Sequence, residues 1–138
     1  MAASDERDAY SARNFDVDLG GVSVGFAEVH GLGYELDDTG DVIVGRVGNV
    51  TLRRAATGDL TLWSWVRRTL GGVLETSTVR VTLLDSQGQP VCVWELRGAR
   101  PVKWNGPDLN ATSNEIAMEE LVLAAEGLEF RSARSTKP

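Results

Sequence analysis

The alternation of apolar and polar residues in several short segments is the feature that most constrains the fold. Apolar residues recur at every second position in four segments, which are 15–19, 22–26, 79–83 and 91–96. A period of two is typical of half-buried β-strands. Gly20–Gly21 separates the first pair of segments and Asp85–Gly88 separates the second, so each pair predicts a hairpin. The sequence therefore predicts a mainly β fold.

One segment has the longer period of an amphipathic helix. Gly58 and Asp59 are typical of a helix start, with Asp59 as the capping side chain, and Gly71–Gly72 is typical of a stop. Between them, four apolar residues fall on one helical face: Leu62, Trp63, Val66 and Leu70. We expect one helix over about residues 59–70. Trp65 lies off the centre of its apolar face and is expected to cover a neighbouring surface.

Other segments are less regular. Residues 31–41 are rich in glycine and aspartate and predict a loop, and 42–52 predicts a strand interrupted by glycines. Gly98 and Pro101 predict a bulge or an edge in the strand that they interrupt. Residues 115–125 are strong helix formers, so local propensity favours a helix, although strand alternation fits them as well.

Composition limits the class of protein. The 138 residues carry a net charge of −6, with 20 acidic and 14 basic side chains, and suit one globular domain. This acidity argues against specific nucleic-acid binding. No segment reaches the roughly 20 apolar residues that span a bilayer, so direct membrane insertion is not expected. The first 14 residues lack the apolar stretch of a signal peptide, and we expect a cytoplasmic protein, at least until assembly.

Candidates for catalysis or metal binding are few. His30 is the only histidine, which excludes a histidine-based metal cluster, and Cys92 is the only cysteine. Cys92 lies inside a strand pattern, where a thiol behaves as a small hydrophobe. The aspartates of residues 37–41 lack the spacing of a calcium loop. We expect no catalytic residue, no metal site and no cofactor.

A polar, turn-rich stretch near the end of the chain is more informative. Residues 104–117 read WNGPDLNATSNEIA, and the apolar segment that follows ends in EGLEF at 126–130. Together with VGNVTLRR at 47–54 and TGDLTLWSW at 57–65, this stretch closely resembles the tail tube protein family. Members form the inner tubes of contractile phage tails and of related bacterial contractile injection systems. The resemblance runs from about residue 15 to residue 130.

The resemblance implies a β-sandwich or barrel with one flanking helix, assembling into ring-shaped hexamers that stack around a lumen. It implies a strand for residues 115–125, and we follow it there because sheet context often overrides propensity. Implied partners are further copies of the chain, the sheath protein, and baseplate or spike proteins. DNA or a protein effector would pass through the lumen as cargo. We expect flexible tails at residues 1–13 and 132–138 around a domain at 14–131.

The resemblance also directs attention to candidate subunit contacts. Five residues are expected at a subunit interface: Trp65, Trp104, Asp108, Asn110 and Asn114. Relatives usually carry a longer, basic, glycine-rich insertion that reaches the adjacent ring, whereas residues 34–46 here are short and acidic. This departure raises an alternative, a specialised ring that initiates the tube at the baseplate. A β-sandwich module that binds a small ligand through Trp65 or Trp104 is a third reading.

Overall fold

The computed structural model describes residues 10–133, which form ten β-strands and one α-helix. The first six strands are β1 (Phe15–Leu19), β2 (Val22–Val24), β3 (Glu28–His30), β4 (Tyr34–Asp38), β5 (Ile43–Val47) and β6 (Val50–Ala55). The helix α1 (Thr61–Leu70) is followed by β7 (Ser77–Leu84), β8 (Pro90–Asn105), β9 (Met118–Ala124) and β10 (Gly127–Ser132). The mainly β fold with one helix is confirmed.

The long strand β8 organises the sheet. Its first half pairs with β7 on one side and β10 on the other, and its second half pairs with β9. The hydrogen-bonded path runs β2-β1-β7-β8-β9-β6-β3, and β4 and β5 form a separate two-stranded hairpin. All of these pairings are antiparallel. Because β8 belongs to both halves of the path, it connects the two layers of the expected sandwich.

Two bulges bend β8 where it passes from one layer to the other. Ala99 and Leu96 pair with Ser77 and Val79, so three steps along β8 match two along β7. A second shift lies between Pro101 and Lys103, opposite adjacent residues of β9. Bulges bend a strand and increase its twist, which is how strands turn the corner between packed sheets. The disturbance predicted near Gly98 and Pro101 is confirmed.

One hydrophobic core lies between the layers. Strands from both ends of the path contribute, as does α1. The fully buried side chains include Val17, Val50, Leu52, Leu62, Val79, Leu96, Leu121 and Leu123. Since most of these residues recur at every second position of their strands, the predicted alternation does place one face of each strand in the core.

The helix differs from its prediction in which residues it buries. Leu62 and Trp65 are its buried residues, and Leu70 is exposed. Placing Trp65 off the buried face was therefore wrong. The indole of Trp65 packs in the core and its Nε1 donates to the Glu75 carbonyl oxygen at 3.0 Å. Gly72, with φ of 89°, follows the end of the helix as expected.

The helix begins two residues later than predicted, at Thr61, with Leu60 as its N-cap. Asp59 still serves the helix start, because its Oδ1 accepts from the Thr61 amide at 3.2 Å and the Thr61 hydroxyl at 2.9 Å.

Two ambiguous segments are strands. Residues 118–124 form β9, as the resemblance implied and local propensity did not, because β9 lies between β6 and β8 and pairs with both. The loop predicted for 31–41 was partly wrong, since residues 34–38 form β4. Strand β4 forms because it pairs with β5, and the local sequence does not reveal that pairing.

The expected terminal tails fall largely on residues 1–9 and 134–138, which lie outside the described residues. Strand β10 ends at Ser132, within the predicted C-terminal tail. In the described part of the chain, no helix is long and apolar enough to cross a membrane.

Candidate assembly surfaces

A buried polar network lies where β6 leads into α1. Arg54 and Glu119 are each 7% exposed, and the Arg54 Nε donates to Glu119 Oε1 at 2.7 Å. The same guanidinium donates to the Asp59 carboxylate at 2.9 Å and to the Asp59 carbonyl oxygen at 3.1 Å. Burial alone lowers the pKa of Arg54, but the hydrogen bonds to Glu119 and Asp59 outweigh it and raise the pKa above its ordinary value. The guanidinium of Arg54 therefore stays charged.

The network also holds a pair of tryptophans at the surface. Trp104 Nε1 donates to the second carboxylate oxygen of Glu119 at 3.1 Å. The ring of Trp104 lies 5.1 Å from that of Trp63, with the planes tilted by 45°. Both rings are half-buried. They join α1 to the second half of β8, and the aromatic contact favours one arrangement of the two elements.

Two apolar cavities flank this pair. One, of about 350 Å³, lies between α1 and β8 and is lined by Leu70, Val102 and Lys103 as well as both tryptophans. The other, also about 350 Å³, lies beside the helix start and includes Leu60 and Pro107. We call the first cavity the tryptophan groove. Its lining is mostly apolar, which suits a contact site.

The polar loop between β8 and β9 is ordered by its own side chains. Asn110 Oδ1 accepts from the Thr112 amide at 3.0 Å and the Thr112 hydroxyl at 2.8 Å. The Ser113 hydroxyl accepts from the Glu115 amide at 3.0 Å. These are Asx- and Ser-type turns, so Asn110 holds the loop. Asp108 and Asn114 are exposed on the same loop.

Asp108 lines a larger polar cavity of about 470 Å³ at the end of β8 and the start of β9. Arg53, Glu115 and Glu120 also line it. Arg53 is paired with Glu28 at 3.1 Å and lies 3.9 Å from Glu120. Because this guanidinium already has two carboxylates, the cavity is acidic overall.

The five predicted interface residues differ in exposure: Trp65 is buried, and the other four are exposed or half-buried. Trp104 directly precedes the loop that carries Asp108, Asn110 and Asn114. Trp65 is only 6% exposed and lines a different cavity, beside β1 and β2. It offers almost no surface to a neighbouring subunit, and its burial also leaves it little area for a small ligand.

The hairpin β4–β5 projects from the sandwich and is exposed along nearly its whole length. Its base is held by Tyr34, whose hydroxyl donates to the Leu128 carbonyl oxygen at 2.8 Å and accepts from the Leu128 amide at 3.0 Å. A side chain therefore occupies the hydrogen-bonding positions that another strand would take on the outer edge of β10.

Sequence reasoning missed the roles of Arg54, Glu119 and Tyr34. For the first two a signal exists, since Arg54 continues the buried positions Val50 and Leu52 of β6. Glu119 likewise shares the buried positions of β9. Two opposite charges at inward-facing positions predict a buried pair once the strands are known to be neighbours. Nothing in the sequence around Tyr34 predicts its hydrogen bonds to Leu128, because the two residues are 94 positions apart in the chain.

Comparison with known proteins identifies the family. The family model described as T4-like virus tail tube protein gp19 matches residues 44–129, more than half of the chain. The chain belongs to the tail tube protein family. A search of curated proteins found no significant match.

Solved structures share the tail tube fold. A chain in the extended sheath–tube complex of an extracellular contractile injection system, PVC, has a TM-score of 0.79 and 23% identity, covering 96% of this chain and 100% of that one. A chain of the anti-feeding prophage tube-terminating cap has a TM-score of 0.78 and 24% identity over the same shares. Hcp1 from Flavobacterium johnsoniae has a TM-score of 0.62 and 17% identity, covering 85% and 94%. The protein is a structural subunit of the tail tube type.

Proposed function

We propose that this protein forms hexameric rings that stack into the inner tube of a contractile phage tail or contractile injection system. Membership of the tail tube family carries this proposal. The open ends of the sheet support it: the strand path ends at β2 and β3, each of three residues. Unpaired edges favour association, and a closed ring gives each edge a partner.

The proposed role is passive. The sheath protein and baseplate or spike proteins would surround and seat the tube, and DNA or a protein effector would pass through its lumen. The net charge of −6 suits a wall that repels anionic cargo and does not bind it. The role includes no catalysis and no cofactor. We place the protein in the cytoplasm until the particle assembles.

The subunit contacts proposed here include Trp104, Asp108 and Asn114. Trp104 exposes part of an aromatic ring beside two apolar cavities, which suits burial at an interface. A variant carrying both Asp108→Ala and Asn114→Ala should keep the stability of the monomer and lose assembly. Asn110→Ala is the matched comparison, because loss of its turn contacts should lower stability directly.

Negative-stain electron microscopy of the purified protein over a range of concentrations tests the proposal. Stacked rings or hollow tubes are the expected result. A monomer at every concentration, also in the presence of the baseplate proteins of its own particle, would contradict it.

The alternative is a ring that initiates the tube. The acidic hairpin β4–β5 favours it, since a different contact surface there would suit a specialised neighbour. It predicts isolated rings that bind one end of a tube and do not elongate, which the same micrographs distinguish.

A further inference from the structure

The dipeptide Asn105–Gly106 lies where strand β8 leads into the polar loop. Among the asparagines of the chain, only Asn105 is followed by glycine. An asparagine side chain can close a five-membered ring with the backbone nitrogen of the next residue, and a Cβ on that residue hinders the approach. Since glycine has no Cβ, the nitrogen of Gly106 is unusually accessible to the Asn105 side chain.

Both residues are open to water. Asn105 and Gly106 are exposed, and a Cβ added to Gly106 would meet nothing within 4 Å outside its chain neighbours. Asn105 is the last residue of β8 that pairs with β9, and Gly106 lies beyond the paired residues. Strand ends open locally at little cost in free energy, so the ring can close without unfolding of the sandwich.

The surroundings of Asn105 make its amide group important. Its Nδ2 donates to Glu120 Oε1 at 3.0 Å across the last pair of β8 and β9. The polar cavity beside it is lined by the carboxylates of Asp108, Glu115 and Glu120, with Arg53 as the base. A neutral donor at position 105 suits this carboxylate-rich end of the sheet, whereas a carboxylate at the same position would have no hydrogen to donate.

We propose that Asn105 is a site of spontaneous deamidation. The backbone nitrogen of Gly106 attacks Cγ of Asn105 and loses its proton, the bond from Cγ to Nδ2 breaks, and ammonia leaves. Water then opens the cyclic imide at either carbonyl and gives aspartate or isoaspartate, in which the chain continues through the side-chain carbon. No group is oxidised or reduced, and water is the only other reactant.

Either product changes this end of the sheet. The hydrogen bond from position 105 is lost, and isoaspartate also lengthens the backbone by one methylene. The new carboxylate lies opposite Glu120, and like charges directly opposite each other on antiparallel strands are destabilising. Because the loop that follows carries Asp108 and Asn114, deamidated subunits should assemble less readily. That consequence rests on the proposed function, whereas the reaction itself does not.

Mass spectrometry of the full chain, held in mildly alkaline buffer and then digested, tests the chemistry. We expect deamidation to be faster at Asn105 than at Asn110 or Asn114, which are exposed on the same loop but precede residues that carry a Cβ. Gly106→Ala should slow the reaction at Asn105 by about tenfold or more. Gly106 is not among the glycines with positive φ, so alanine fits its backbone. Equal rates at the three asparagines, or in Gly106→Ala, would overturn the proposal.

Asn105→Asp tests the effect of the new charge. It should lower the denaturation midpoint, and adding Glu120→Gln should recover most of the loss, measured against Glu120→Gln alone, because the two carboxylates no longer face each other. An unchanged midpoint in Asn105→Asp, or a loss that Glu120→Gln does not recover, would contradict repulsion at this strand end.

Ageing of the protein separates this inference from the proposed function. Protein held until Asn105 is deamidated should form fewer rings or tubes in electron micrographs than fresh protein, whereas Gly106→Ala held in the same way should assemble as it does when fresh. Deamidation at Asn105 in a protein that never assembles would support this site and contradict the tube function. Tubes from a protein that does not deamidate at Asn105 would overturn the site and leave the tube function standing. Deamidated protein that assembles like fresh protein would overturn the effect on assembly.

Discussion

Arg54 and Glu119 form a buried ion pair between neighbouring strands, with 2.7 Å between Arg54 Nε and Glu119 Oε1. The pair is connected to the helix start through Asp59 and to the surface tryptophans through Trp104. It thus ties β6, β9, α1 and β8 together at one point. The tryptophan groove depends on the positions of α1 and β8, so this pair supports the surface that we propose for assembly.

Glu119→Gln should destabilise the subunit by about 2–3 kcal/mol, because a neutral amide no longer balances the charge of the buried Arg54 guanidinium and only Asp59 remains to pair with it. Chemical denaturation measures the change. Glu129→Gln is the control: it removes the exposed carboxylate that pairs with Arg97, and exposed pairs contribute little. Equal effects of the two substitutions would show that the buried pair does not stabilise the fold.

Glu95 should make stability depend on pH in acid. A hydrogen bond from Arg80 is the main cause that lowers the pKa of Glu95, and Arg97 and Arg131 add to it. Because the folded-state pKa is depressed, the ionised carboxylate stabilises the fold above its unfolded pKa. That contribution is lost as pH falls through the folded pKa.

Between about pH 5 and pH 3, Glu95→Gln should therefore lose less stability than the unmodified chain. Denaturation midpoints at both pH values measure the difference. Arg80→Gln should flatten the pH profile in the same direction. An unchanged profile in both variants would contradict the role of this cluster.

Gly98→Ala should destabilise the corner of β8 by about 1–2 kcal/mol, because Gly98 has φ of 63°, where a side chain is strained. An added Cβ would also lie 2.7 Å from Glu126 Cδ, but that flexible side chain can move. Thermal unfolding measures the effect, and combining Gly98→Ala with Glu126→Ala should recover little of it. Gly106→Ala, with open space around it, is the control and should change stability little.

Trp65→Ala and Trp63→Ala should separate folding from assembly. Trp65 is in the core, so its truncation should cost about 3–5 kcal/mol of folding stability. Trp63 is half-buried, and its truncation should cost less stability while removing part of the groove. Denaturation together with electron microscopy of both variants checks this, and a stable but non-assembling Trp65→Ala protein would reverse the assignment.

Much of this fold is predictable from local pattern. Residues 15–19, 22–24 and 79–83 are strands where the alternation predicted them, because one face of each strand must be apolar to reach the core. The turn at Asp85 is equally local: its Oδ1 accepts from the Gln87 and Gln89 amides, each at 2.9 Å. The five predicted contact residues stay a prediction: Trp104 is half-buried and the loop after it is exposed, whereas Trp65 is buried.

The sequence by itself determined the β class, the single helix and the hairpin turns, because periodicity and turn chemistry act over a few residues. Tertiary structure decided that β9 is a strand, since its pairing with β6 and β8 outweighs its helical propensity. It also decided that Trp65 is buried and Leu70 exposed, because periodicity does not specify which side of α1 the rest of the fold covers. The Arg54–Glu119 pair and the hydrogen bonds of Tyr34 to Leu128 join residues far apart in the chain, so only the folded arrangement creates them.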